Sequence, residues 1–506
     1  MTRTRHILTL LIPAWGHTVS YLHLCVQMLR SEPELVITLF VHNMVVPKMH
    51  AELKECIYDR ERLRIVGTGD EGVEFSPQAV AAAFGQLMGG WVESLAGLME
   101  GTEAWPRPRA VHMDVSCGFV IDPTKTIVGD GASCKILLWS PISLSSMPGI
   151  LFEHDFVAIA QEIYDDEGRR RGRTLEEILD AVTYASNGID AHDGRIVSIP
   201  GVYSIYDYEQ LAYAAGRSEG LAQVLSTGQK FAKVCDGYVV PTSTAIEPGA
   251  LKFCREVARG RGQELFAVGL QTDERSWDPQ GHLTPANEVI RAFLDEAEKK
   301  YGPKSVLYIS FGSLFFPTAT PELVQALLDT FLSLEQPFPF LFALGGKLAS
   351  LPKELVDRIH ASGRGLACDF WVEQRAIIQH GAVGWFLTHG GWNSITESMA
   401  RGLPLIIWPA GAEQPINAAV LAADPNPVAI ELFQVRTGPQ RGPSLRSPAN
   451  ITGTVEDATE EFKRVLHDVR GERGAFVSEN ARKMAGALGE VRAGEVKEDI
   501  AKLIAF

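Results

Sequence analysis

The chain has 506 residues, of which 46% are hydrophobic and 22% charged, a composition typical of globular proteins with large cores and not of disordered or fibrous ones. At roughly 100–200 residues per domain, this length allows two to four domains. The formal net charge of −15 argues against nucleic acid or an anionic membrane surface as a partner, although a small nucleotide could still bind in one pocket.

The first predicted element is a buried strand close to the N-terminus. The apolar run Ile7–Ile12 follows the basic stretch Met1–Arg5, a pattern that also occurs in signal peptides. No small-residue cleavage site follows, because Pro13 and Trp15–His17 stand at that point. We therefore favour a strand over a leader peptide. No uncharged apolar run approaches the roughly 18 residues that span a bilayer, so no integral membrane segment is predicted.

Short apolar runs, separated by helical patterns, recur along the whole chain. Because these runs do not alternate apolar with polar residues, they predict parallel sheets that helices cover on both faces. Six runs in each half of the chain predict two doubly wound domains. The predicted strands are His6–Pro13, Val36–His42, Leu63–Gly67, Ala110–Asp114, Lys135–Ser140, Gly237–Pro241, Ser305–Gly312, Pro339–Leu344, Gly365–Phe370, Val383–His389, Leu403–Pro409 and Pro427–Leu432.

The domain boundaries follow from shifts in composition. The stretch QTDERSWDPQGHLTPAN at 271–287 is polar and contains Pro and Gly, which is typical of a linker. It predicts an N-terminal domain over 1–270, a linker over 271–290 and a C-terminal domain over 291–482. The last residues, 483–506, have a helical pattern. A second irregular stretch, Arg436–Asn450, predicts a surface loop.

Common signatures of metal and cofactor sites are either missing from the sequence or poorly formed. The seven cysteines make no CxxC pair and no zinc-finger spacing, which is typical of reduced thiols in an intracellular, cytoplasmic protein. The stretch Gly67–Gly72 fits GxGxxG, but Asp70 and Glu71 would repel a pyrophosphate and the next helix begins too late. The sequence also contains neither a P-loop nor a DxD pair, so no cofactor and no metal ion are predicted.

The most informative segment is 371–414, which holds a predicted anion site. A buried strand ends at His389, and the Gly390–Gly391 pair that follows allows a close backbone approach. A helix then begins over Trp392–Ser394, where backbone N–H groups and the helix dipole favour a phosphate. The imidazole of His389 can donate a hydrogen bond to the same anion.

The same helix start permits an interpretation without any ligand. Ser394 and Glu397 have the spacing of a capping box, in which both side chains satisfy N–H groups at the helix end. From these residues alone, the anion site and the capping box both stay open.

Taken together, segment 371–414 resembles the nucleotide-sugar signature of the family 1 UDP-dependent glycosyltransferases, at the length found in plant enzymes and without a gap. The resemblance covers almost the whole chain, including the strand and loop at 305–313. It implies an α/β protein of the GT-B fold, with two facing Rossmann-like, doubly wound parallel-sheet domains and an interdomain cleft. It also implies that the helix at 483–506 packs back on the N-terminal domain.

The resemblance further implies how a UDP-sugar is held. Trp371 would stack on the uracil ring, Gln374 would lie near the ribose, and Glu397 would accept hydrogen bonds from the ribose hydroxyl groups. The residues implied for the diphosphate are His389, Asn393, Ser394, Gly312 and Ser313. Those implied for the sugar are Trp392, Glu413, Gln414 and, at the 6-hydroxyl group, Ser140; Val372 and Gly391 complete the implied donor site.

Three residues of the signature depart from the usual plant sequence. Glu373 replaces Pro, Gly390 replaces a frequent Cys, and Glu413 replaces Asp. The longer side chain of Glu413 keeps the carboxylate but changes its reach toward the sugar. The closing Gln414 favours glucose over galactose, because the family tends to use His for the latter.

The resemblance also implies the catalytic pair. In this family, a Gly-His turn after the first strand carries the general base, and His17 is the matching residue. An aspartate after a later strand orients that imidazole, and Asp114 matches best, with Asp122 as the alternative. The carboxylate would fix the tautomer and stabilise the imidazolium ion.

The predicted reaction is an inverting transfer of glucose from UDP-glucose to a small lipophilic acceptor of the phenolic, flavonoid, terpenoid or sterol-like kind, by a monomer that needs no cofactor. Candidate acceptor-pocket residues are Trp15, Met88, Trp91, Phe119 and Met147, although these could equally be core residues. Two other functions stay open: a UDP-sugar-binding protein without transfer activity, and an acceptor-free UDP-sugar hydrolase or epimerase.

Overall fold

A computed structural model describes residues 4–73, 77–129, 133–152, 155–186, 194–199, 202–209, 212–213, 221–278, 283–313, 315–346 and 348–506. In chain order, the strands are β1 Arg5–Leu10, β2 Leu35–His42, β3 Leu63–Thr68, β4 Ala110–Asp114, β5 Lys135–Trp139, β6 Ile196–Ile199, β7 Tyr203–Tyr206, β8 Ala212–Tyr213, β9 Gly237–Val240, β10 Glu264–Ala267, β11 Val306–Ser310, β12 Phe340–Ala343, β13 Gly365–Cys368, β14 Val383–Thr388, β15 Leu405–Ile407, β16 Gly411–Ala412, β17 Ala429–Glu431, β18 Gly442–Ser444 and β19 Ser447–Ile451.

The α-helices of the described residues lie between these strands. In chain order, they are α1 Trp15–Ser31, α2 Val46–Lys54, α3 Pro77–Glu100, α4 Ile121–Val128, α5 Phe156–Asp165, α6 Glu167–Arg170, α7 Leu175–Ser186, α8 Leu221–Val234, α9 Pro248–Gly260, α10 Glu288–Tyr301, α11 Pro321–Ser333, α12 Lys353–Ala361, α13 Gln374–Gln379, α14 Trp392–Ala400, α15 Gln414–Leu421, α16 Val455–Asp468, α17 Glu472–Ala493 and α18 Glu495–Ala505. None of these described helices has both the length and the apolar character that a bilayer crossing requires.

The chain folds into two compact units. The first contains Met1–Ser186, Ser218–Asp273 and Glu490–Phe506, and the second contains Asn187–Arg217 and Glu274–Gly489. This division differs from the predicted domain boundaries at 187–217, which lie inside the predicted N-terminal domain but belong to the second unit. Of the predicted linker, residues 279–282 lie outside the described residues.

The first unit is built on a seven-stranded sheet with the order β10-β9-β5-β4-β1-β2-β3, in which every described pairing is parallel. The strands β2 and β4 are buried along their whole length, which explains their continuous apolar sequences. The strand order reverses between β1 and β4, so their carboxyl ends meet at the point where ligands collect in such sheets. His17 follows β1 and Asp114 ends β4, so both residues lie at this point of the sheet.

The second unit has a six-stranded parallel sheet of the same type, with the order β13-β12-β11-β14-β15-β17. Its order reverses between β11 and β14, so Gly312 and His389 follow neighbouring strand ends. All twelve predicted strands are present, and the two doubly wound parallel sheets are confirmed. The sequence analysis missed β10, the seventh strand of the first sheet, because this strand is only four residues long.

The stretch Arg436–Asn450, predicted as a surface loop, lies at the surface over 441–450 but is not an irregular loop. The stretch contains the antiparallel pair β18–β19, and the side chain of Arg436 is fully buried. Arg436 forms ion pairs with Glu209 and Glu431, so its charge is compensated inside the second unit. The charged and turn-forming residues of this stretch favour an exposed loop when the local sequence is considered alone. The compensation of the Arg436 charge by Glu209, which is distant in the sequence, could not be seen there.

The C-terminal helix α18 packs on the first unit. Its residues Val496, Ile500 and Leu503 join the core of that unit, which also includes helix α1 and the strands β1 and β2. Asp499 pairs with Arg255 at 2.7 Å and accepts a hydrogen bond from the backbone of β10 at 3.2 Å.

Candidate active site

His17 and Asp114 form a hydrogen-bonded pair at the switch point of the first sheet. His17 lies in the first turn of α1, directly after β1, and Asp114 is the last residue of the neighbouring strand β4. The distance between His17 Nδ1 and Asp114 Oδ2 is 2.7 Å, and the carboxylate is fully buried. Its other oxygen accepts the backbone N–H of Ser116 at 2.9 Å. Because an ionised carboxylate only accepts, Nδ1 must donate, and Nε2 carries the lone pair of the neutral ring.

The structure distinguishes the two candidate aspartates. Asp122 lies in the first turn of α4 with 68% of its side chain exposed, and it forms an ion pair with Lys230. It therefore does not contact His17, and Asp114 is the aspartate that orients the imidazole in this structure.

The five candidate acceptor residues have very different surroundings. Trp91 is fully buried, donates from Nε1 to Thr124 Oγ1 at 2.9 Å and packs edge-on against Phe40, so it is a core residue. Met147 is also fully buried, and Met88 is 9% exposed. For these three residues, the core interpretation describes the structure better than the pocket interpretation.

Two of the candidate acceptor residues do present surface. Phe119 is 38% exposed and packs edge-on against Phe84. The ring of Trp15 is partly exposed, and Lys48 Nζ lies 4.5 Å from its centroid. Ser140, which follows β5, is fully buried, and its hydroxyl oxygen has no hydrogen-bond partner among the described residues.

In the second unit, His389 is enclosed by glycines. Its side chain is buried, and its ring stacks on Phe315 with 5.6 Å between the centroids. A Cβ atom at Gly312 would lie 2.7 Å from His389 Cε1, and one at Gly391 would lie 2.4 Å from Nε2. Both positions therefore have to be glycine for the imidazole to keep its place.

Burial lowers the pKa of His389 to about 4, so the ring is neutral near pH 7. A neutral ring still donates one hydrogen bond to an anion without adding a buried positive charge. His6 and His112 in the first unit are also buried, and burial lowers their pKa values to about 4 and about 3.

These three histidines predict a fall in stability between pH 6.5 and pH 4. In the unfolded chain these histidines take up protons near pH 6.5, whereas in the folded protein they do so only near pH 4 or below. The unfolded state therefore binds more protons in this range, and the free energy of unfolding decreases as the pH is lowered. For His389 alone, the loss down to about pH 4.5 is on the order of 3 kcal/mol. Urea unfolding at pH 6.5 and at pH 4.5 measures this loss of stability. In the His389→Gln variant, the free energies of unfolding at the two pH values should differ less. A free energy of unfolding that stays constant over this range would contradict the prediction.

The helix α14 begins beside His389 in the way that an anion site requires. Gly391 is its N-cap residue and provides no side-chain cap, and Ser394 lies inside the first turn. The capping-box interpretation is therefore wrong, because Ser394 does not occupy the capping position. Trp392 and Ser394 are buried, and Asn393 is half-buried. The positive end of the helix dipole lies at this end.

The residues predicted to hold a base and a ribose lie between β13 and α14. Trp371 follows β13 and is 57% exposed, an unusual exposure for so large an apolar ring. Gln374 donates from Nε2 to Glu397 Oε2 at 2.8 Å and accepts at Oε1 from Tyr308 at 3.2 Å. Val372 is half-buried beside Trp371. Tyr308, which the sequence analysis missed, thus orients the amide that meets Glu397.

Glu413 and Gln414 lie where the loop after β15 enters α15. Gln414 accepts the backbone N–H groups of Ala410 at 2.9 Å and Gly411 at 2.8 Å. Asn417, one turn further along α15, donates to Gly390 O at 2.8 Å and so connects this corner to the His389 turn. The sequence analysis missed Asn417, although its spacing from Gln414 places both on one helix face.

No cluster of three or more His, Cys, Asp or Glu side chains suited to a metal ion occurs in the part of the chain that the structure describes. Ser313 follows Gly312 and is half-buried. Apart from Ser140, which belongs to the first unit, the predicted donor-site residues belong to the second unit and follow the strands β11, β13, β14 and β15. The predicted catalytic pair lies in the first unit.

Comparisons with known proteins point to one family. Residues 282–437 match the family model described as UDP-glucoronosyl and UDP-glucosyl transferase. A UDP-glycosyltransferase from Hericium erinaceus, eriJ, is 28% identical over 96% of this chain and 95% of its own length. The hydroquinone glucosyltransferase of Rauvolfia serpentina is 31% identical over 44% of this chain and 48% of its own length.

Solved structures confirm the fold. UGT2 of Phytolacca americana, solved with UDP-2fluoro-glucose and pterostilbene, superposes with a TM-score of 0.69 at 19% identity, covering 99% of both chains. UGT71G1 of Medicago truncatula, solved with UDP-glucose, has a TM-score of 0.68 at 19% identity, covering 99% of this chain and 98% of its own. These likenesses confirm the predicted GT-B fold class.

Proposed function

We propose that the chain, which is similar to UDP-glucoronosyl and UDP-glucosyl transferases, transfers glucose from UDP-glucose to a hydroxyl group of a small lipophilic acceptor and forms a β-O-glucoside. The coarser activity, that of a UDP-glycosyltransferase acting on small acceptors, is supported by the similar proteins. Glucose as the donor sugar is supported by Gln414 and by two similar structures solved with UDP-glucose or its 2-fluoro analogue.

The observation that carries the donor proposal is the glycine-enclosed His389 at the start of α14. The diphosphate takes up negative charge when it leaves, and a helix N-terminus together with a fixed hydrogen-bond donor stabilises that charge in place of a metal ion. Asn393, Ser394, Gly312 and Ser313 would complete the phosphate contacts. Gly391 lets the phosphate approach the backbone.

The remaining donor residues would bind the two ends of the nucleotide sugar. The exposed ring of Trp371 offers a face to uracil, with Val372 beside it. Glu397, which Gln374 orients, would accept from the ribose hydroxyl groups. Trp392, Glu413 and Gln414 would contact the glucose, and Ser140 its 6-hydroxyl group.

In the transfer step, His17 acts as the general base. Its Nε2 takes the proton of the acceptor hydroxyl group while the acceptor oxygen forms a bond to the anomeric carbon and the bond from that carbon to UDP breaks. Asp114 holds the ring in the required tautomer and stabilises the imidazolium ion. Attack from the face opposite UDP inverts the anomeric centre, through a transition state with oxocarbenium character. We further propose a cytoplasmic monomer that uses neither a cofactor nor a metal ion.

The test is incubation with UDP-glucose and a panel of phenols, flavonoids, terpenoids and sterols, followed by mass spectrometry. An acceptor that gains one hexose supports transfer, and release of UDP without such a product supports a hydrolase. An epimer of UDP-glucose has the same mass, so it is separated by chromatography before detection, and its appearance supports an epimerase. Binding without any reaction supports a protein that has lost transfer. UDP-galactose, UDP-xylose and UDP-glucuronic acid, tested in parallel, would identify the donor.

A further inference from the structure

Residues 202–209 and 212–213, called here the docked segment, belong to the second unit although the chain on both sides belongs to the first. The segment contains β7 and β8. Its contacts lie on the same corner of the second sheet as the residues proposed to bind the sugar.

The first contact is a buried cluster of four charged side chains. Glu209 is fully buried and pairs with Arg446 at 2.9 Å and with Arg436 at 3.5 Å. Both arginines also pair with Glu431, so two positive and two negative charges compensate one another. Removing one partner from such a cluster leaves an uncompensated buried charge, so the cluster holds Glu209 in a single position.

This cluster lies close in the fold to Glu413 and Gln414, the residues proposed to bind the sugar. Glu431 ends β17 and lies directly opposite Ile407, the last residue of β15. From Ile407, the chain continues through Ala410 and Gly411 to Glu413 and Gln414. The cluster therefore lies at the carboxyl edge of the sheet, where ligands bind in this type of fold.

The second contact is a direct backbone pairing. In β8, Ala212 pairs with Ala412 and Tyr213 pairs with Gly411, immediately before Glu413. Glu209 precedes Ala212 by three residues, so at most about 10 Å of chain separates the cluster from this pairing. In addition, β7 packs against α15, whose first residue is Gln414.

The backbone at this pairing has a strained conformation at Ala412, which neighbouring parts of the structure must stabilise. Ala412 has a φ of 51°, a conformation that L-residues other than Asn and Asp rarely adopt. Such a conformation persists where the surrounding structure determines it. The pairing with β8 and the two hydrogen bonds from the loop to Gln414 supply that determination.

We propose that the docked segment is a positioning element for the donor sugar. Glu209, held by Arg436 and Arg446, keeps β8 paired with Gly411 and Ala412, and this pairing sets the positions of Glu413 and Gln414. This inference rests on the proposed function, in which those two residues contact glucose. The proposal separates the sugar contacts from the uridine contacts, because Trp371 follows β13 and the other two proposed uridine contacts, Gln374 and Glu397, lie in α13 and α14. Glu209 is thus a positioning residue that does not touch the substrate.

Glu209→Gln tests the proposal through the difference between two ligands. We expect its Kd for UDP-glucose to rise about tenfold, as for loss of one or two sugar hydrogen bonds, while its Kd for UDP changes less than about twofold. Calorimetry measures both constants. Hydrogen exchange followed by mass spectrometry should show faster exchange at the amides of Ala410 and Gly411.

Tyr208→Phe provides a milder variant if Glu209→Gln does not fold. Tyr208 donates to Pro443 O at 2.6 Å, so the change loosens the same segment without altering any charge. We expect a smaller shift of the same kind. Lys463→Gln is the matched control, because it breaks an exposed ion pair with Glu460 in the same unit.

Equal losses of affinity for UDP and UDP-glucose, or no loss for either, would overturn the positioning role. A positioning role also requires that the variants raise KM for UDP-glucose more than they lower kcat. If the unaltered protein binds no UDP, the proposed function itself fails, and this inference fails with it.

Discussion

His17→Ala is expected to lower kcat for glucosyl transfer by about 10²–10⁴ without changing the affinity for UDP-glucose. The acceptor hydroxyl group then has no base to take its proton, whereas the residues proposed to bind the donor all lie elsewhere, most of them in the second unit. Initial rates with a phenol identified in the acceptor screen give kcat, and calorimetry gives the Kd for UDP-glucose. A variant that keeps the original rate would show that His17 is not the base.

A comparison of variants at Asp114 and Asp122 gives a sharper test of the same mechanism. Asp114→Asn keeps the size of the side chain but replaces one carboxylate oxygen by an NH2 donor, which no longer fixes His17 Nδ1 as a donor, so a large loss of kcat is expected. Asp122→Asn changes an exposed aspartate of the same unit and should leave the rate unchanged. His50→Ala, at an exposed position on α2, is the matching control for His17. If both aspartate variants behave alike, Asp114 has no special role.

Much of the fold could be predicted because it depends on local patterns. Continuous apolar runs such as Val36–His42 and Ala110–Asp114 indicate strands buried on both faces, and both strands are present in the structure. The edge strand β10 was missed because a run of four residues beside a glycine turn also fits a loop.

Features that depend on distant parts of the chain could not be predicted. Arg436 is surrounded by Pro, Gly and charged residues, which locally favour an exposed loop. It is buried because Glu209, more than two hundred residues earlier, compensates its charge. The choice between Asp114 and Asp122 was open for a similar reason, since both precede helical segments and only the sheet order brings Asp114 next to His17.

The donor site was predictable in its residue types but not in its packing. A helix start after two glycines fits either an anion site or a capping box, and only the position of Gly391 as the N-cap decides between them. The enclosure of His389 by Gly312 joins two loops that lie more than seventy residues apart. Trp91 was included among the pocket residues because a sequence does not reveal that its N–H meets Thr124 inside the core.

Gly391→Ala is expected to weaken UDP binding by about 100-fold or more. The added Cβ would lie 2.4 Å from His389 Nε2, so the imidazole has to leave its place. The backbone φ of −67° at Gly391 is allowed for alanine, so the effect arises from this contact and not from backbone strain. Loss of the His389 donor and displacement of the helix start remove at least two hydrogen bonds to a charged group, which corresponds to about 3 kcal/mol.

A double-mutant cycle shows whether the effect acts through His389. His389→Ala alone should cost about tenfold or more in UDP affinity, and Gly391→Ala should add little once the imidazole is gone. Gly486→Ala is the control, because its Cβ would meet nothing within 4 Å in helix α17 of the same unit. That variant should bind UDP normally and unfold at an equal or slightly higher temperature. Additive losses in the cycle would show that Gly391 acts independently of His389, and undiminished UDP binding by Gly391→Ala would place the diphosphate elsewhere.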